Sequence, residues 1–327
     1  MGNPQARGLK PGPTEPRYSL LPLPAPLPDR PGIPWATAGG SIAGYFRSDT
    51  QGQNTPGGVE NVCVWAPDRS VRRLETIPRG WITHPTAVTP DGVVVGYALG
   101  PRAERWSKPI LWRGGVPQSL PTLGGDFNEA SGINRHGVAV GYSTTTGRRS
   151  AAVIWESGQI RLLPPADGDD AAYAADAIND HGVIVGSGPS GLVVWEQGRP
   201  RALGVRGRAR AINNAGWIVG TTTDDDDAQV ATLWRDGQNI FLDCLIGDEG
   251  SVACGINDRG WVVGYSYKGD SGQGVLWQDG QISIVDNLIQ ASTGWNISSA
   301  QFIDEKGAIG AFGTGPGGFG ACILESL

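Results

Sequence analysis

The chain has 327 residues, of which 51 are glycine and 24 are proline, and 18% are charged, a composition typical of a turn-rich, all-β protein rather than a disordered one. A formal net charge of −6 gives no electrostatic reason to expect nucleic acid as a partner. No apolar run approaches the roughly 20 residues that a membrane-spanning helix needs, so we expect no membrane partner.

The N-terminal stretch 1–16 is rich in proline and glycine and has no continuous apolar core. We therefore expect a disordered tail there rather than a signal peptide. Residues 17–327 are expected to form a single domain, because repeated units cover almost all of this part of the chain.

A short motif recurs seven times along this domain. Residues 177–187 read AINDHGVIVGS and residues 255–265 read GINDRGWVVGY. In each copy a short extended piece precedes a tight turn with glycine, and a β-branched strand follows. The turn glycines are Gly40, Gly92, Gly137, Gly182, Gly216, Gly260 and Gly307. Their spacing of 34 to 52 residues is close to the length of one four-stranded propeller blade.

Each motif is followed by another apolar strand, which ends in tryptophan in six of the seven units. A polar turn and a fourth strand come next. One unit is thus predicted to hold four antiparallel strands, a to d, with the tryptophans packed between neighbouring sheets. The tryptophans are Trp65, Trp112, Trp155, Trp195, Trp234 and Trp277.

The seventh unit contains strands a to c but no strand d after them. A matching strand d stands at the start of the domain, where Arg17–Pro22 (RYSLLP) resembles Ile160–Pro164 (IRLLP). An N-terminal strand that completes the last blade would remove an open sheet edge. The sequence therefore predicts a seven-bladed β-propeller that is closed by its N-terminal strand.

Repeats of the form I-N-x-x-G-x-V-V-G-Y, each followed by an apolar strand and tryptophan, resemble the HAF repeat family. The resemblance covers nearly the whole chain from about Trp35 onward. Ala151–Val153 and Ala231–Leu233 stand where the family's His-Ala-Phe would be. The resemblance implies a repeat fold and an extracellular location, and it brings no catalytic residues.

The four cysteines lack any C-x-x-C spacing. Cys63 and Cys322 would lie in strand c of adjacent sheets about 10 Å apart, which is unfavourable for a disulfide. We therefore expect reduced thiols and a cytoplasmic protein, against the location that the resemblance implies.

Propeller ligands usually bind at one mouth of the central channel, beside the residues that lead into strand a. Two positions there, six and eight residues before the turn glycine, differ in every blade. Residues two apart in a strand point the same way, so these positions would form two stacked rings near the axis. The first ring is Pro34, Thr86, Ser131, Asp176, Arg210, Cys254 and Gln301, and the second is Gly32, His84, Glu129, Ala174, Arg208, Val252 and Ser299.

Three arginines, Arg206, Arg208 and Arg210, alternate with small residues and would share one face. Converging guanidinium groups are suited to binding a carboxylate or a phosphate. The structural alternative is that Asp176, at the same position one blade earlier, pairs with Arg210.

His84 and Glu129 occupy the same position in consecutive blades. An imidazole oriented by a carboxylate is a workable general base, so His84, Glu129 and Asp176 are the predicted catalytic residues. A structural ion pair is the alternative. His136 and His181 lie in the a–b turns and are expected to be solvated.

Four aromatic residues lie in or beside the loops that lead into strand a. They would form a wall for an apolar part of a ligand, or else cap the sheets by packing. They are Trp35, Trp81, Tyr173 and Trp295, and Cys254 and Gln301 complete the expected substrate-binding set.

Metal and cofactor motifs are absent from the sequence. The aspartate run 224–227 lacks the alternating ligand spacing of a calcium loop, the run 167–170 comes slightly closer to it, and we expect both to be solvated loops. There is no phosphate-binding loop or dinucleotide motif. We expect neither a metal nor a cofactor.

Two functions fit these features. The first is a cofactor-independent enzyme of the cyclase, isomerase or lyase type, as in bacterial secondary metabolism, which acts on a small organic substrate that is anionic if the arginines bind it. The second is a non-catalytic platform for a protein partner that uses the 46–61 loop and the 97–108 loop with Trp106.

Overall fold

The computed structural model describes residues 17–21, 23–28, 32–48, 59–77, 82–100, 106–166, 173–223, 229–290 and 293–327. These residues form seven four-stranded antiparallel sheets, and the predicted fold class, a seven-bladed β-propeller, is confirmed. Within the described ranges, no helix is long and apolar enough to cross a membrane. The predicted disordered tail, 1–16, lies outside these ranges.

The chain divides into two compact units, residues 23–204 and residues 205–327 with 1–22. We call them the 23–204 unit and the 205–327 unit. The N-terminal strand of the latter is β1 (Tyr18–Leu21).

The 23–204 unit holds the first four sheets, each formed by consecutive strands. The first sheet is β2 (Ile33–Ala38), β3 (Ser41–Ser48), β4 (Val59–Trp65) and β5 (Val71–Arg73); the second is β6 (Ile82–Val88), β7 (Val94–Leu99), β8 (Ser107–Arg113) and β9 (Val116–Ser119); the third is β10 (Gly124–Ile133), β11 (Ala139–Thr145), β12 (Ser150–Glu156) and β13 (Gln159–Leu162); the fourth is β14 (Ala174–Ile178), β15 (Ile184–Gly188), β16 (Gly191–Glu196) and β17 (Arg199–Ala202).

The described residues of the 205–327 unit form the other three sheets and one short 3-10 helix, Val285–Leu288. The fifth sheet is β18 (Gly207–Ile212), β19 (Ile218–Thr223), β20 (Gln229–Arg235) and β21 (Gln238–Phe241); the sixth is β22 (Gly250–Ile256), β23 (Val262–Lys268), β24 (Ser271–Gln278) and β25 (Gln281–Ile284); the seventh is β26 (Asn296–Ile303), β27 (Ile309–Gly315) and β28 (Gly318–Ser326), with β1.

The N-terminal strand completes the seventh sheet, as the sequence predicts. β1 pairs with β28 in antiparallel register, and Leu20 lies opposite Leu324. In the third sheet the residue opposite Trp155, the counterpart of Leu324, is Ile160. The sequence match aligned Leu20 with Leu162 instead and was wrong by two residues. The error keeps every side chain on its predicted face, because side chains alternate with a period of two.

The tryptophan that ends strand c is buried between sheets, and in five of the six units its indole donates a hydrogen bond there. The exception is Trp234, whose Nε1 has no hydrogen-bond partner among the described residues. Trp155 and Trp195 are 2% and 1% exposed. Their indole Nε1 groups donate to the carbonyls of Pro121 and Pro164, which follow strand d of the preceding sheet, at 2.8 and 2.7 Å. Trp277 makes the same bond to Asp243 in the 205–327 unit. The repeated Trp therefore joins one sheet to the next.

The asparagine of the motif makes a second connection between sheets. The Oδ1 atom of Asn257 accepts from the backbone N–H groups of Arg259 and Trp261 and so closes the a–b turn. Its Nδ2 donates to the carbonyl of Asp304 in the next sheet, at 3.1 Å. Asn134 does the same in the third sheet, with Asn179 as the acceptor. The repeated Asn thus stabilises both the a–b turn and the contact between neighbouring sheets.

Each strand a contains a β-bulge. The two rings were predicted from a strict alternation of side chains along strand a, which did not take the bulge into account. In the second sheet Pro85 pairs with Gly96 and Ala87 with Val95, so Thr86 is the extra residue. The extra residue stands six before the turn glycine in the second to sixth sheets, where it is Thr86, Ser131, Asp176, Arg210 and Cys254. A shift at the same place in the seventh sheet makes it Gln301.

The first sheet differs by one residue. Its a–b turn is the tight pair Gly39–Gly40, both with positive φ, and the bulge falls between Pro34 and Ala36. Trp35 is therefore the extra residue, and Ile33 lies opposite Tyr45. Our assignment of Pro34 and Gly32 to the two rings was wrong, because the shorter turn shifts the alignment.

Candidate functional site

The variable residue eight before the turn glycine lies directly across from the residue that ends the motif. His84 of β6 is opposite Tyr97 of β7, and Glu129 of β10 is opposite Tyr142 of β11. His84 and Glu129 therefore each have a tyrosine beside them on the same face of the sheet, whereas Ala174 and Arg208 lie across from Ser187 and Thr221.

The centre of the site is a contact between His84 and Glu60, which the sequence reasoning missed. His84 Nε2 lies 3.3 Å from Glu60 Oε2, and both side chains are largely buried, at 17% and 15% exposed. Glu60 belongs to β4 of the first sheet. The hydrogen bond from His84 is the main reason that the pKa of Glu60 lies below its ordinary value, and it outweighs the opposing effect of burial.

Two neighbours hold Glu60 in place. The Thr83 hydroxyl donates to the backbone carbonyl of Glu60 at 2.9 Å, which fixes β4 against β6. Arg47, directly across from Glu60 on β3, donates to Glu60 Oε1 at 3.2 Å. Arg47 is 60% exposed, so solvent screens this second pair strongly.

Aromatic rings surround the imidazole. The ring centroid of His84 lies 5.1 Å from Trp35, 4.4 Å from Tyr45 and 5.8 Å from Tyr97. The Tyr97 ring is nearly parallel to the imidazole, at 10°, and the Trp35 ring is edge-on, at 82°. Trp35 is 40% exposed, so this wall of the site is open to solvent. We call Trp35, Tyr45, Glu60, His84 and Tyr97 the His84 cluster.

Glu129 adds a second carboxylate near this cluster. The Thr86 hydroxyl donates to the carbonyl of Ala130, the residue after Glu129, at 2.5 Å. Burial first, and then the charge of Glu129, raise the pKa of Tyr97 to about 12 and raise the pKa of Tyr142 above its ordinary value. Both phenols are therefore neutral at physiological pH. The predicted role of Glu129 in orienting His84 stays a prediction.

Glu60 could have been identified from the sequence, because it is a charged residue on the inner face of a strand. In β4, Val62 and Val64 are buried, and alternation puts Glu60 on the same face. A carboxylate there needs a partner. Our comparison of strands a alone could not include it, because Glu60 lies on strand c.

The three arginines of the predicted anion site, Arg206, Arg208 and Arg210, are exposed. Arg208 and Arg210 lie on β18, and Arg206 precedes it. Arg210 lies near Cys254, where its charge partly offsets the effect of burial, which raises the pKa of this thiol to about 11. Cys254 is 8% exposed and protonated at neutral pH. Asp176 belongs to the other unit, so its pairing with Arg210 stays a prediction.

Other predicted ligand residues contribute to packing. Tyr173 is 5% exposed, belongs to a core cluster and contacts the Trp195 ring at 6.4 Å. Trp295 packs against the core of the 205–327 unit. Gln301 Nε2 donates to Ser299 Oγ at 2.6 Å. This contact means that the side chains at the two variable positions of the seventh sheet lie on the same side of strand a.

Several predictions fall on residues outside the described ranges. They are Trp81, the two aspartate runs, most of the 46–61 loop and residues 101–105 of the 97–108 loop. His136 and His181 are exposed in the a–b turns, as expected. All four cysteines are buried free thiols. Among the described residues, no group of three or more His, Cys, Asp or Glu side chains is placed to hold a metal.

No family model and no curated protein sequence matches the chain, so the resemblance to the HAF repeat family stays a prediction. Solved structures do match it. A prolyl endopeptidase aligns with 95% of this chain and 50% of its own, at 10% identity and a TM-score of 0.57. An acylaminoacyl peptidase from Pyrococcus horikoshii aligns with 86% of this chain and 49% of its own, at 12% identity and a TM-score of 0.52.

The structure of YCF48 bound to D1 peptide aligns with 97% of this chain and 99% of its own, at 13% identity and a TM-score of 0.52. The chain thus spans about half the length of the two peptidases and the full length of YCF48. At these identities the likeness shows the fold alone, and that fold is the β-propeller.

Proposed function

We propose that this chain binds a small polar organic molecule beside the His84 cluster and that His84, together with Glu60, transfers a proton on it. The observation that carries the proposal is the largely buried His84–Glu60 pair beside a partly exposed indole. Aromatic walls with a few convergent polar groups are typical of small-molecule sites.

The geometry suits general acid–base chemistry. With Nε2 of His84 turned toward Glu60, Nδ1 is the nitrogen left to accept a proton from a ligand. The imidazolium formed in this step is stabilised by the Glu60 carboxylate, and the proton returns to product or to water. Isomerisation and elimination need such a step and no cofactor, which supports the reaction classes expected from the sequence.

The residues that hold the pair favour a constant geometry. Thr83 ties the backbone of Glu60 to the strand of His84, and the Tyr45 and Tyr97 rings pack on the imidazole. A catalytic group needs this kind of support, because small displacements lower the rate strongly. The site lies within the 23–204 unit and requires nothing from Arg206, Arg208 or Arg210.

The test uses a defined panel of small amines, carboxylates, amides and polyols, screened by ligand-observed NMR against the wild type. Each binder is then incubated with the protein in deuterium oxide, and mass spectrometry measures conversion or deuterium uptake. We expect at least one binder whose exchange or conversion is lost in His84→Gln and reduced in Glu60→Gln.

Arg208→Ala is the matched control, because it changes a charged strand-a residue outside the cluster. Circular dichroism verifies that each variant is folded. Binding or conversion that survives in folded His84→Gln would refute the proposal, and so would a panel without any binder.

A further inference from the structure

We infer that the slot that holds β1 also accepts β1 of a second copy of this chain, so that two copies exchange their N-terminal strands. The slot lies within the 205–327 unit, between β28 and residues 288–290. The inference goes beyond the proposed function and does not rest on it, because it uses no residue of the His84 cluster.

The first argument is that main-chain bonds hold β1 along both of its edges. On one edge, its four residues pair with β28 in antiparallel register. On the other edge, the N–H group of Arg17 donates to the carbonyl of Leu288, and the N–H group of Gln290 donates to the carbonyl of Tyr18, both at 2.8 Å. Bonds of this kind hold an extended segment whichever molecule supplies it, as in peptide recognition by β-strand addition.

The second argument is that Tyr18 anchors the strand in the slot. Its side chain is 1% exposed and belongs to a core cluster that includes Val285, Leu288 and Leu324. Burial is the main reason that the pKa of its phenol is raised to about 12, so the buried group is neutral at physiological pH. Buried aromatic anchors contribute much of the affinity of an interface. The slot therefore favours an extended segment with tyrosine at this position, and every copy of the chain carries that segment.

The third argument is that β1 is connected to its sheet differently from the fourth strands of the other six sheets. Those strands follow strand c after a turn of two to five residues, such as residues 157–158 between β12 and β13. The short turn gives each of them a high effective concentration at its own sheet. No such turn joins β1 to β28, because the other strands lie between them in sequence. A second copy can therefore replace β1 more readily than any other fourth strand.

The connection between β1 and β2 is long enough for the exchange. It consists of residues 22–32, five of which are proline and have no N–H group to donate. The indole of Trp65 donates to the carbonyl of Pro24 at 2.9 Å, and the exchange breaks this bond when the connection moves. A proline-rich segment of eleven residues spans roughly 35 Å when it is extended, which lets β1 reach the slot of an adjoining copy.

The experiment cross-links the exchanged strand at one pair of opposite residues. Ser19 of β1 lies opposite Glu325 of β28, and both side chains are partly exposed. Opposite residues of antiparallel strands are close enough for a disulfide. Full-length Ser19→Cys protein is mixed with full-length Glu325→Cys protein, incubated and mildly oxidised. Non-reducing gel electrophoresis then separates the products, and mass spectrometry of peptides identifies the disulfide.

We expect a disulfide-linked heterodimer whose yield rises with protein concentration, because the strand of one copy occupies the slot of the other. An excess of the peptide acetyl-RYSLLP-amide, which has the sequence of residues 17–22, should lower the yield by competing for the slot. A chain with both substitutions is the positive control and should form the disulfide within one copy. Glu249→Cys, at an exposed residue of the same unit, replaces Glu325→Cys as the control for random collisions and should give at most about a tenth of the yield.

Matched variants test the anchor. Tyr18→Ala, added to the Ser19→Cys protein, should lower the heterodimer yield at least about tenfold, because a buried aromatic side chain is lost. Leu21→Ala shortens a neighbouring side chain that is 37% exposed and should change the yield less than about threefold. The peptide acetyl-RASLLP-amide tests the same anchor without altering the chain and should not compete. Circular dichroism verifies that each variant is folded.

Three results would overturn the inference. The first is a mixture without heterodimer although the chain with both substitutions forms its internal disulfide, since β1 would then stay in its own copy. The second is an equal yield with Glu249→Cys, and the third is a yield that neither Tyr18→Ala nor the competing peptide lowers. None of these results concerns binding at the His84 cluster, which the compound panel tests separately.

Discussion

The two compact units carry the same motif and place opposite chemistry at its variable position. In the second sheet, Tyr97 lies across from His84 and near two carboxylates. In the sixth sheet, Tyr265 lies across from Val252. Burial and Cys254 raise the pKa of Tyr265, and the charge of Arg210 opposes them. The repeated tyrosine is therefore scaffold, and the unrepeated residue across from it changes from an imidazole at Tyr97 to a valine at Tyr265.

The largest contrast concerns proton transfer. On a compound that the wild type converts, His84→Gln should lower kcat/KM by roughly 100-fold or more, because the general base is removed. Arg208→Ala, at the equivalent position of the fifth sheet, should stay within about threefold. Steady-state kinetics measure both, and an equal loss in the two variants would remove the distinction between the units.

The next prediction tests whether the repeated asparagine of the motif contributes equally to stability in the two units. Asn134→Ala and Asn257→Ala each remove two turn hydrogen bonds and one bond to the next sheet. Each should lower the free energy of unfolding by about 2–4 kcal/mol, since buried partners are left unsatisfied. Urea unfolding measures the loss.

Asp304 serves as the comparison for these two variants. Its Oδ1 accepts the same two turn bonds, from Lys306 and Ala308, but a carboxylate has no N–H group to reach the next sheet. Asp304→Ala should therefore cost less than either Asn variant. A larger cost would show that the bond between sheets contributes little.

A smaller effect, of opposite sign in the two units, is expected in the pH dependence of stability. The pKa of Glu60 is lowered chiefly by its bond to His84, so its contribution is present above its ordinary value of 4.5 and is lost as pH falls through the lower folded pKa. The pKa of Asp286 is raised by burial, so its contribution is complete below 3.8 and is lost as pH rises through the higher folded pKa.

Two variants test this pair of signs by thermal unfolding between pH 3 and pH 8. Glu60→Gln should lower Tm at neutral pH and flatten its decline in acid. Asp286→Asn should keep or raise Tm at neutral pH, because an amide oxygen can still accept from the backbone N–H of Ile297. Changes of the same sign in both variants would contradict the assignment.

The smallest expected effect is on the phenols. In Glu129→Gln the pKa of Tyr97 should fall from about 12, and that of Tyr142 should fall with it, because a nearby negative charge is removed. The pKa of Tyr265 should not change, since its environment does not include Glu129. Titration of ¹³C-labelled tyrosine followed by NMR resolves these values, and an unchanged Tyr97 would place Glu129 too far away to act on the site.

The fold could be predicted because each repeat has several signals that agree. Gly137 allows the turn, Asn134 closes it, and Trp155 needs a neighbouring sheet to cover it. The register of β1 was harder to predict, because a slip of two residues leaves the same faces buried. The sequence favours the wrong alignment, because 20–22 and 162–164 both read Leu-Leu-Pro, whereas the observed register puts Leu20 at the position of Ile160.

The site was predicted only in part. His84 could be found, since it stands at a position that differs in every blade, and Trp35 was named as a ligand residue. Glu60 was missed because its contact with His84 joins strand c of one sheet to strand a of the next, and such contacts are not evident from repeat alignment. Tyr173 was assigned to a ligand wall although its ring is buried, because sequence position does not show which way an aromatic side chain turns.

The bulge in strand a has a consequence for how such a chain can change. The extra residue, such as Thr86 or Cys254, is left out of the paired ladder, so its identity is uncoupled from the pairing of the strands. Substitutions can accumulate there, blade by blade, while the framework is inherited unaltered. When gene duplication adds one blade, the protein therefore gains one more bulge position, which selection or a protein engineer can vary.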